Sequence, residues 1–407
     1  MPATPVLETP ALPGAKVGDA YSVDVPVGYA DPSSLTYTAS APLTSLGLSV
    51  TAGAGGFTLS GTPAASIVAD TVVSFTVTAK DYTTGATASQ DYTLILAPSD
   101  AVCTGGNVAA AARQCAFPGW AAGAAGSCGT ITITSDTTLT VNGWGGGGGY
   151  ATNGTSSAAG GAGAGGTASI PVLAGDVVKV CVGGAGETGT KGNNGCAYVS
   201  NGGGGGGATS VFLNGVPVLV LGGGGGAGAP YATSPSPISA LATVDGSVGA
   251  GSYYGAGGVA GNGGGSYRAG GGGGVASAGT AGQSPSGGGG QLTMAGAVGG
   301  AGYSGACGAT SASTLPMGGK GGWNGGGGGH YYNTPGGGGG GYSGGGSGSY
   351  GGGGGGSYLA SGLTGALHPG GNLASVSSPA TAGGAFLPGW VGSAGNSGQP
   401  GRAVVTW

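Results

Sequence analysis

Between residues 21 and 96 apolar and polar positions alternate in short runs, the pattern of strands with one buried face. The runs are 21–27, 35–40, 46–51, 57–59, 72–79 and 90–96, separated by turn residues at the spacing of a β-sandwich. In the fifth, Val73, Phe75, Val77 and Ala79 fall on one face, with Ser74, Thr76 and Thr78 opposite. Similar alternation returns at 130–134 and 137–141 about Ser135 and Asp136, predicting a hairpin or a bent strand. Runs 170–173 and 177–182 flank another turn. Runs 211–213 and 216–221 flank Asn214 and Gly215, a strong hairpin signal, with Pro217 expected on an edge or where no ladder N–H is needed. The chain ends on 402–407, a strand that needs a sheet and is expected to find it among the strands of 130–221.

Much of what separates these strands is glycine, 110 residues in a chain of 407. Runs of four or more occur at 145–149, 202–207, 222–226, 270–274, 287–290, 325–329, 336–341 and 351–356. A flexible linker is the ordinary meaning of such composition. Linkers stay solvated through Ser and charge, however, and these runs are nearly uncharged and bounded by apolar strands. The alternative is polyproline II geometry, three residues per turn with no internal hydrogen bond, in which six glycines make a rod of roughly 19 Å. Ordering glycine costs on the order of 1–2 kcal/mol per residue, so one rod cannot stand alone. A bundle can, because backbones without side chains approach closely enough to satisfy one another on every side. The expected organisation is an extended arm at 1–15, a sandwich at 16–98 and a Cys- and Ala-rich irregular connector at 99–129 with room for a short helix. A glycine-rich domain at 130–407 follows, its β-core at 130–221 plus 401–407 and its bundle and loops at 222–400.

Charge narrows the functional classes. Charged residues make up 5% of the chain, all twelve acidic residues lie at or before Asp245, and residues 246–407 carry only Arg268, Lys320 and Arg402. No basic patch exists to displace counterions from a nucleic acid, so no nucleic-acid partner is expected. No secretory leader and no apolar run long enough for a membrane span are read from the chain. Six cysteines occur, at 103, 115, 128, 181, 196 and 307, with no C-x-x-C pair and no nearby His, so no metal site is expected. They are free thiols or disulfides. Cys181–Cys196 and one pair among Cys103, Cys115 and Cys128 are the expected bridges if oxidised.

Two resemblances sharpen the fold. The segments Leu46-Gly-Leu-Ser-Val-Thr, Phe57-Thr-Leu-Ser-Gly-Thr-Pro63 and Phe75-Thr-Val-Thr-Ala-Lys-Asp81 resemble bacterial cadherin-like and Ig-fold repeats, modules that mostly act as spacers. The order Leu139-Thr-Val-Asn-Gly-Trp-Gly-Gly, Ile170-Pro-Val-Leu-Ala-Gly-Asp-Val-Val-Lys-Val180, Val218-Leu-Val-Leu-Gly222 and Gly401-Arg-Ala-Val-Val-Thr-Trp407 is similar to the glycine-rich domain of bacterial and phage proteins. It also resembles the glycine-rich region of anaplastic lymphoma kinase-type receptors. Together they imply a mainly β protein: an N-terminal Ig-like β-sandwich, then a jelly-roll or TNF-like β-core carrying a bundle of polyglycine II helices. A related arrangement tips some phage tail fibres, where loops between the helices bind host receptors.

Catalytic chemistry finds little support. The stretch around Lys191 lacks the Gly-Lys-Ser/Thr of a phosphate loop, and His330 and His368 have no acidic residue after Asp245 to orient them. No enzyme activity and no cofactor are expected. Recognition remains. Loops at 227–249, 291–317, 330–335, 357–368 and 372–400 carry rigid amphipathic rings suited to binding. The candidate binding residues are His330, Tyr331, Tyr332 and Asn333, expected as an exposed tip, with Tyr342, Tyr350, Tyr358, Tyr231 and Trp323. Tyr253, Tyr254 and Tyr267 lie in the same region. The expected function is a virion adhesin, a tail-fibre or receptor-binding protein engaging a host cell-surface receptor, glycan or protein. Its N-terminal region would contact other fibre subunits, and the chain is expected to be a homo-oligomer. The alternative is a filament or cell-surface matrix protein whose glycine-rich part packs between subunits.

Overall fold

The computed structural model describes all residues except 1–3, 9–11, 41–42, 54, 65–66, 68–70, 98–99, 110–112, 153–156, 190–200, 229–237, 283–287, 294–295, 303–318, 331–334 and 371–397. The chain is mainly β, with two short 3-10 turns as its only helical elements among the described residues.

Eight strands build the N-terminal module: β1 (Val6–Leu7), β2 (Ala15–Lys16), β3 (Tyr21–Gly28), β4 (Leu35–Ala39), β5 (Leu48–Gly53), β6 (Gly56–Gly61), β7 (Thr71–Asp81) and β8 (Thr87–Ala97). They form two four-stranded sheets, β1-β3-β6-β5 and β2-β8-β7-β4. Alternation drives the packing: Val73, Phe75, Val77 and Ala79 are buried with Phe57, Leu59, Tyr92 and Leu94 in one shared core. Residues 1–15 are not a free arm throughout. Leu7 and Ala15 are buried in that core, and the Tyr92 hydroxyl donates to the Glu8 carbonyl at 2.7 Å. Burial and the Glu8 charge push the Tyr92 phenol up to about 12.

The second module begins where an irregular connector was expected. Residues 99–129 supply β9 (Ala101–Thr104), β10 (Asn107–Ala109) and β11 (Gln114–Pro118), with no helix among the described residues. There follow β12 (Gly129–Ile133), β13 (Thr137–Trp144), the short pair β14 (Ala151–Thr152) and β15 (Ser157–Ala158), β16 (Gly165–Val172), β17 (Val177–Cys181), β18 (Thr209–Leu213) and β19 (Val216–Leu221). β20 (Tyr358–Leu359), β21 (Thr364–His368) and β22 (Arg402–Thr406) complete it. Two six-stranded antiparallel sheets result, β10-β11-β22-β13-β16-β21 and β20-β19-β18-β17-β12-β9. Phe117, Ile131, Leu139, Ile170, Val178, Val211 and Leu219 fill one core between them.

β12 and β13 lie in different sheets, so the turn at Ser135 and Asp136 carries the chain across the sandwich and does not close a hairpin. β18 and β19 do form a hairpin, with Asn214 at φ 49° and Gly215 at φ 90° in its two-residue turn. β22 lies between β13 and β11, so the last strand is the middle of a sheet. Residues 357–368, expected as an exposed loop, instead form edge strands β20 and β21, because Leu359, Leu363 and Leu367 pack against the core.

Two disulfides join these strands. Cys103–Cys115 links one sheet to the other, and Cys128–Cys181 ties the lead into β12 to the end of β17. The Cys103–Cys115 bridge falls within the expected trio. The expected Cys181–Cys196 bridge is replaced by Cys128–Cys181, because antiparallel pairing of β12 with β17 sets Gly129 opposite Val180, next to both cysteines. Cys196 and Cys307 lie outside the described residues.

Candidate functional site

From this β-core the glycine runs extend in one direction, and their hydrogen bonds follow a period of three. In run 202–207 the N–H groups of Gly202 and Gly205 donate to His330 and Gly327. Those of Gly203 and Gly206 donate to Ala227 and Gly224, and those of Gly204 and Gly207 to Glu187 and Gly184. Its carbonyls accept in the same rotation from Gly319 and Gly322, from Gly337 and Gly340, and from Gly149 and Gly146. All twelve bonds are 2.8–3.0 Å long, and the run is surrounded by six neighbours. A β-ladder directs alternate residues to two sides; here every third residue returns to the same side. Run 222–227 repeats the scheme: Gly223 and Gly226 donate to Gly340 and Gly337, and Gly224 and Ala227 to Gly146 and Gly149.

Only glycine fits. A Cβ on Gly203 would lie 2.2 Å from the Gly149 oxygen, on Gly205 2.1 Å from Gly338, and on Gly206 2.1 Å from Gly146. Packing also extends beyond the boundaries expected from sequence. Run 145–149 and the segments at 160–164 and 183–187 are rods of the same block, as is the segment 319–322 within those boundaries. Buried polar side chains mark its inner end: Asn324 Nδ2 donates to the carbonyl of Ala208 at 2.6 Å and to Ser210 Oγ at 3.0 Å, and Ser357 Oγ accepts from Gly222 at 3.0 Å.

The rods sort the candidate residues between two ends. Runs 145–149 and 222–227 leave the β-core, while 202–207, 336–341 and 351–356 return to it, as the antiparallel bonds require. Aromatic residues between a returning and a departing rod therefore sit at the base. Trp323 is buried there, its ring 6.3 Å from that of Trp120. Tyr342 and Tyr358 stack at 4.3 Å beside the cluster of Val220 and Leu292. These three rings were candidates for display and are packed against the core. His330 is at the far end but 5% exposed, so its ring is not displayed as expected. Tyr231, Tyr331, Tyr332 and Asn333 lie outside the described residues.

Tyr350 is the remaining candidate, at the far end and 40% exposed. Around it are residues that sequence reasoning left out of the candidate set. Tyr253 and Tyr254 are 62% and 57% exposed. The Tyr350 N–H donates to the Ala250 carbonyl and that of Ser349 to Tyr253, both at 3.0 Å, while Tyr254 pairs with Gly348. Tyr253 stacks on Tyr267 at 5.1 Å with 12° between the rings, and the Arg268 guanidinium lies 5.7 Å from the Tyr267 centroid. A signal for this cluster was present. Rods alternate in direction, so counting them from the β-core assigns each intervening segment to the base or to the far end.

The carboxylates of Asp136 and Asp176 are engaged in turns of the β-core: Asp136 accepts from the Ala174 N–H, and Asp176 from the Leu173 N–H and from Asn214 Nδ2. Among the described residues no group of three or more His, Cys, Asp or Glu could hold a metal ion, and no helix is long and apolar enough to cross a membrane. No protein-family model matches the chain, and comparison with curated proteins finds none that is similar.

Proposed function

We propose that this chain is a non-enzymatic adhesin, a phage tail-fibre or receptor-binding protein that attaches to a host cell-surface molecule. In this reading the N-terminal module is an Ig-like spacer, the second is a jelly-roll or TNF-like β-core, and the glycine rods are polyglycine II helices. The observation that carries it is the three-residue rotation of hydrogen bonds around run 202–207, the repeat expected of a threefold helix in a hexagonal array. In this reading such a block is stiff and its sides carry small and aliphatic residues, so aromatic chemistry concentrates at its far end. There the exposed rings of Tyr253, Tyr254 and Tyr350 supply rigid contact area. Attachment to the rest of a particle falls to the N-terminal module, which lies beyond the opposite end of the β-core.

The test is adsorption of fluorescently labelled full-length protein to a panel of bacterial strains. At least one strain should retain the protein, and exchange of the far-end segments 250–254 and 348–350 for Gly-Ser sequence should abolish retention. Binding that survives the exchange counts against display from this end. A filament or matrix protein is the second reading, favoured by the exposed Val248, Val259 and Val298 on the outer rods. Electron microscopy separates the two, since discrete particles belong to an adhesin and extended polymers to a filament.

A further inference from the structure

Large apolar side chains left in water call for an occupant, and the far end of the bundle holds three of them on adjoining backbone. Tyr253, Tyr254 and Tyr350 are 62%, 57% and 40% exposed, and their segments are tied to one another by the bonds from Tyr350 to Ala250 and from Ser349 to Tyr253. The Tyr253 ring is also braced, stacked on Tyr267 with only 12° between the planes. Tyr267 is fixed in turn, since its N–H donates to the buried Ser347 Oγ at 2.6 Å and its carbonyl accepts from the same hydroxyl at 3.1 Å. The tyrosine shelf formed by these segments holds the Tyr253 ring in place before binding, and a group ordered in advance spends little entropy on capture.

Charge selects among ligands. No carboxylate follows Asp245, and Arg268 is the only charged side chain contributed by the segments that form the shelf. Recognition there has one cation and no carboxylate to draw on, so it rests mainly on ring faces and neutral hydrogen bonds. An apolar peptide gains affinity by burying its side chains in pockets, whereas the shelf presents exposed ring faces. A saccharide meets the conditions that remain. Its C–H faces lie flat on aromatic rings while its hydroxyls reach outward to phenolic O–H groups and main-chain polar atoms. We infer that the tyrosine shelf of Tyr253, Tyr254 and Tyr350 is a carbohydrate-binding site for a neutral glycan, stacked ring on ring. This inference rests on the adhesin reading and names its ligand class.

Full-length protein on an array of neutral and acidic bacterial-surface saccharides tests it, beside Tyr253→Ala/Tyr254→Ala and Tyr253→Phe/Tyr254→Phe double variants. The expected result is binding to at least one neutral saccharide, weakened at least tenfold by the alanine pair and less than threefold by the phenylalanine pair. Binding to no saccharide overturns the inference, as does binding that the alanine pair leaves intact. If the alanine variant melts early, the ring proton signals of Tyr253 and Tyr254 in the unaltered protein decide: shifts on adding the array-selected sugar support the site, and their absence rejects it. Cells treated with periodate or with protease separate this inference from the reading beneath it. Adsorption lost to protease but not to periodate leaves an adhesin whose ligand is a protein and refutes the glycan. Adsorption to no untreated strain removes the adhesin reading itself.

Discussion

Arg113 grips Asp19 with two hydrogen bonds, from Nε at 2.8 Å and from Nη2 at 2.6 Å, and so joins the second module to the first. Asp100 extends the contact, accepting from Lys16 at 2.8 Å and lying 3.2 Å from Arg113. Planar two-point contact fixes orientation as well as distance. Arg113→Lys is accordingly expected to loosen the junction while leaving each core intact. Small-angle scattering should then report a broader distribution of end-to-end distances with unchanged circular dichroism.

Acid should loosen the same junction. Burial alone would raise the Asp100 carboxyl, but hydrogen bonds from Lys16 and Ser135 and the charges of Lys16 and Arg113 outweigh it and hold the group below its usual range. A carboxylate depressed in the folded state adds stability above its unfolded value, about pH 4, and that stability is lost as pH falls through the folded value. Melting temperature should therefore drop below about pH 4. Asp100→Asn should be less stable at neutral pH and show a shallower acid slope; equal slopes would remove Asp100 from the explanation.

Run 202–207 should not tolerate a methyl group at its inner positions. Gly206→Ala places a Cβ about 2.1 Å from the Gly146 oxygen and must push two rods apart, with an expected loss of roughly 1–3 kcal/mol or more. Gly55→Ala serves as a control, because a Cβ there meets nothing within 4 Å. Thermal denaturation of both variants checks the contrast, and comparable losses would mean that close packing is not what requires glycine in the rods.

The two disulfides among the described residues lie in the β-core, so reduction should act there. Cys128 and Cys181 are 53 residues apart, and cross-links over such loops contribute on the order of 4 kcal/mol by constraining the unfolded chain. Reductant should lower the melting temperature of the second module, and a calorimetric scan resolving both modules should find the first, which has no cysteine, unmoved.

Trp323→Ala is expected to act on stability and not on recognition. The ring is buried against Trp120 and Phe212 at the base, and truncating a buried tryptophan costs about 3–5 kcal/mol. Protein that remains folded at low temperature should adsorb to cells as the parent does. A folded variant with abolished adsorption would return Trp323 to the candidate site.

Legibility in the sequence followed the reach of the interactions. β7 was readable because Val73, Phe75, Val77 and Ala79 declare their face within eight residues. The Asn214–Gly215 turn was readable because positive φ selects those residue types directly. β11 was not, since Cys115 and Phe117 are held in their sheet between β10 and β22, and β22 lies far along the chain. The candidate site suffered most. Trp323, Tyr342 and Tyr350 all sit beside glycine, and nothing local distinguishes a ring that plugs the base from one that faces water. That difference is set by rod direction, a property of the whole assembly.

A rod whose residues are all alike also carries no record of its own position. Sliding 202–207 by three residues against its neighbours would remake similar bonds, so its placement must be dictated from outside. The strands at one end and the inserted Trp323, Asn324, Ser343 and Ser357 act as stops against such slippage. Replacing those few residues would leave the glycines able to pack and unable to choose where.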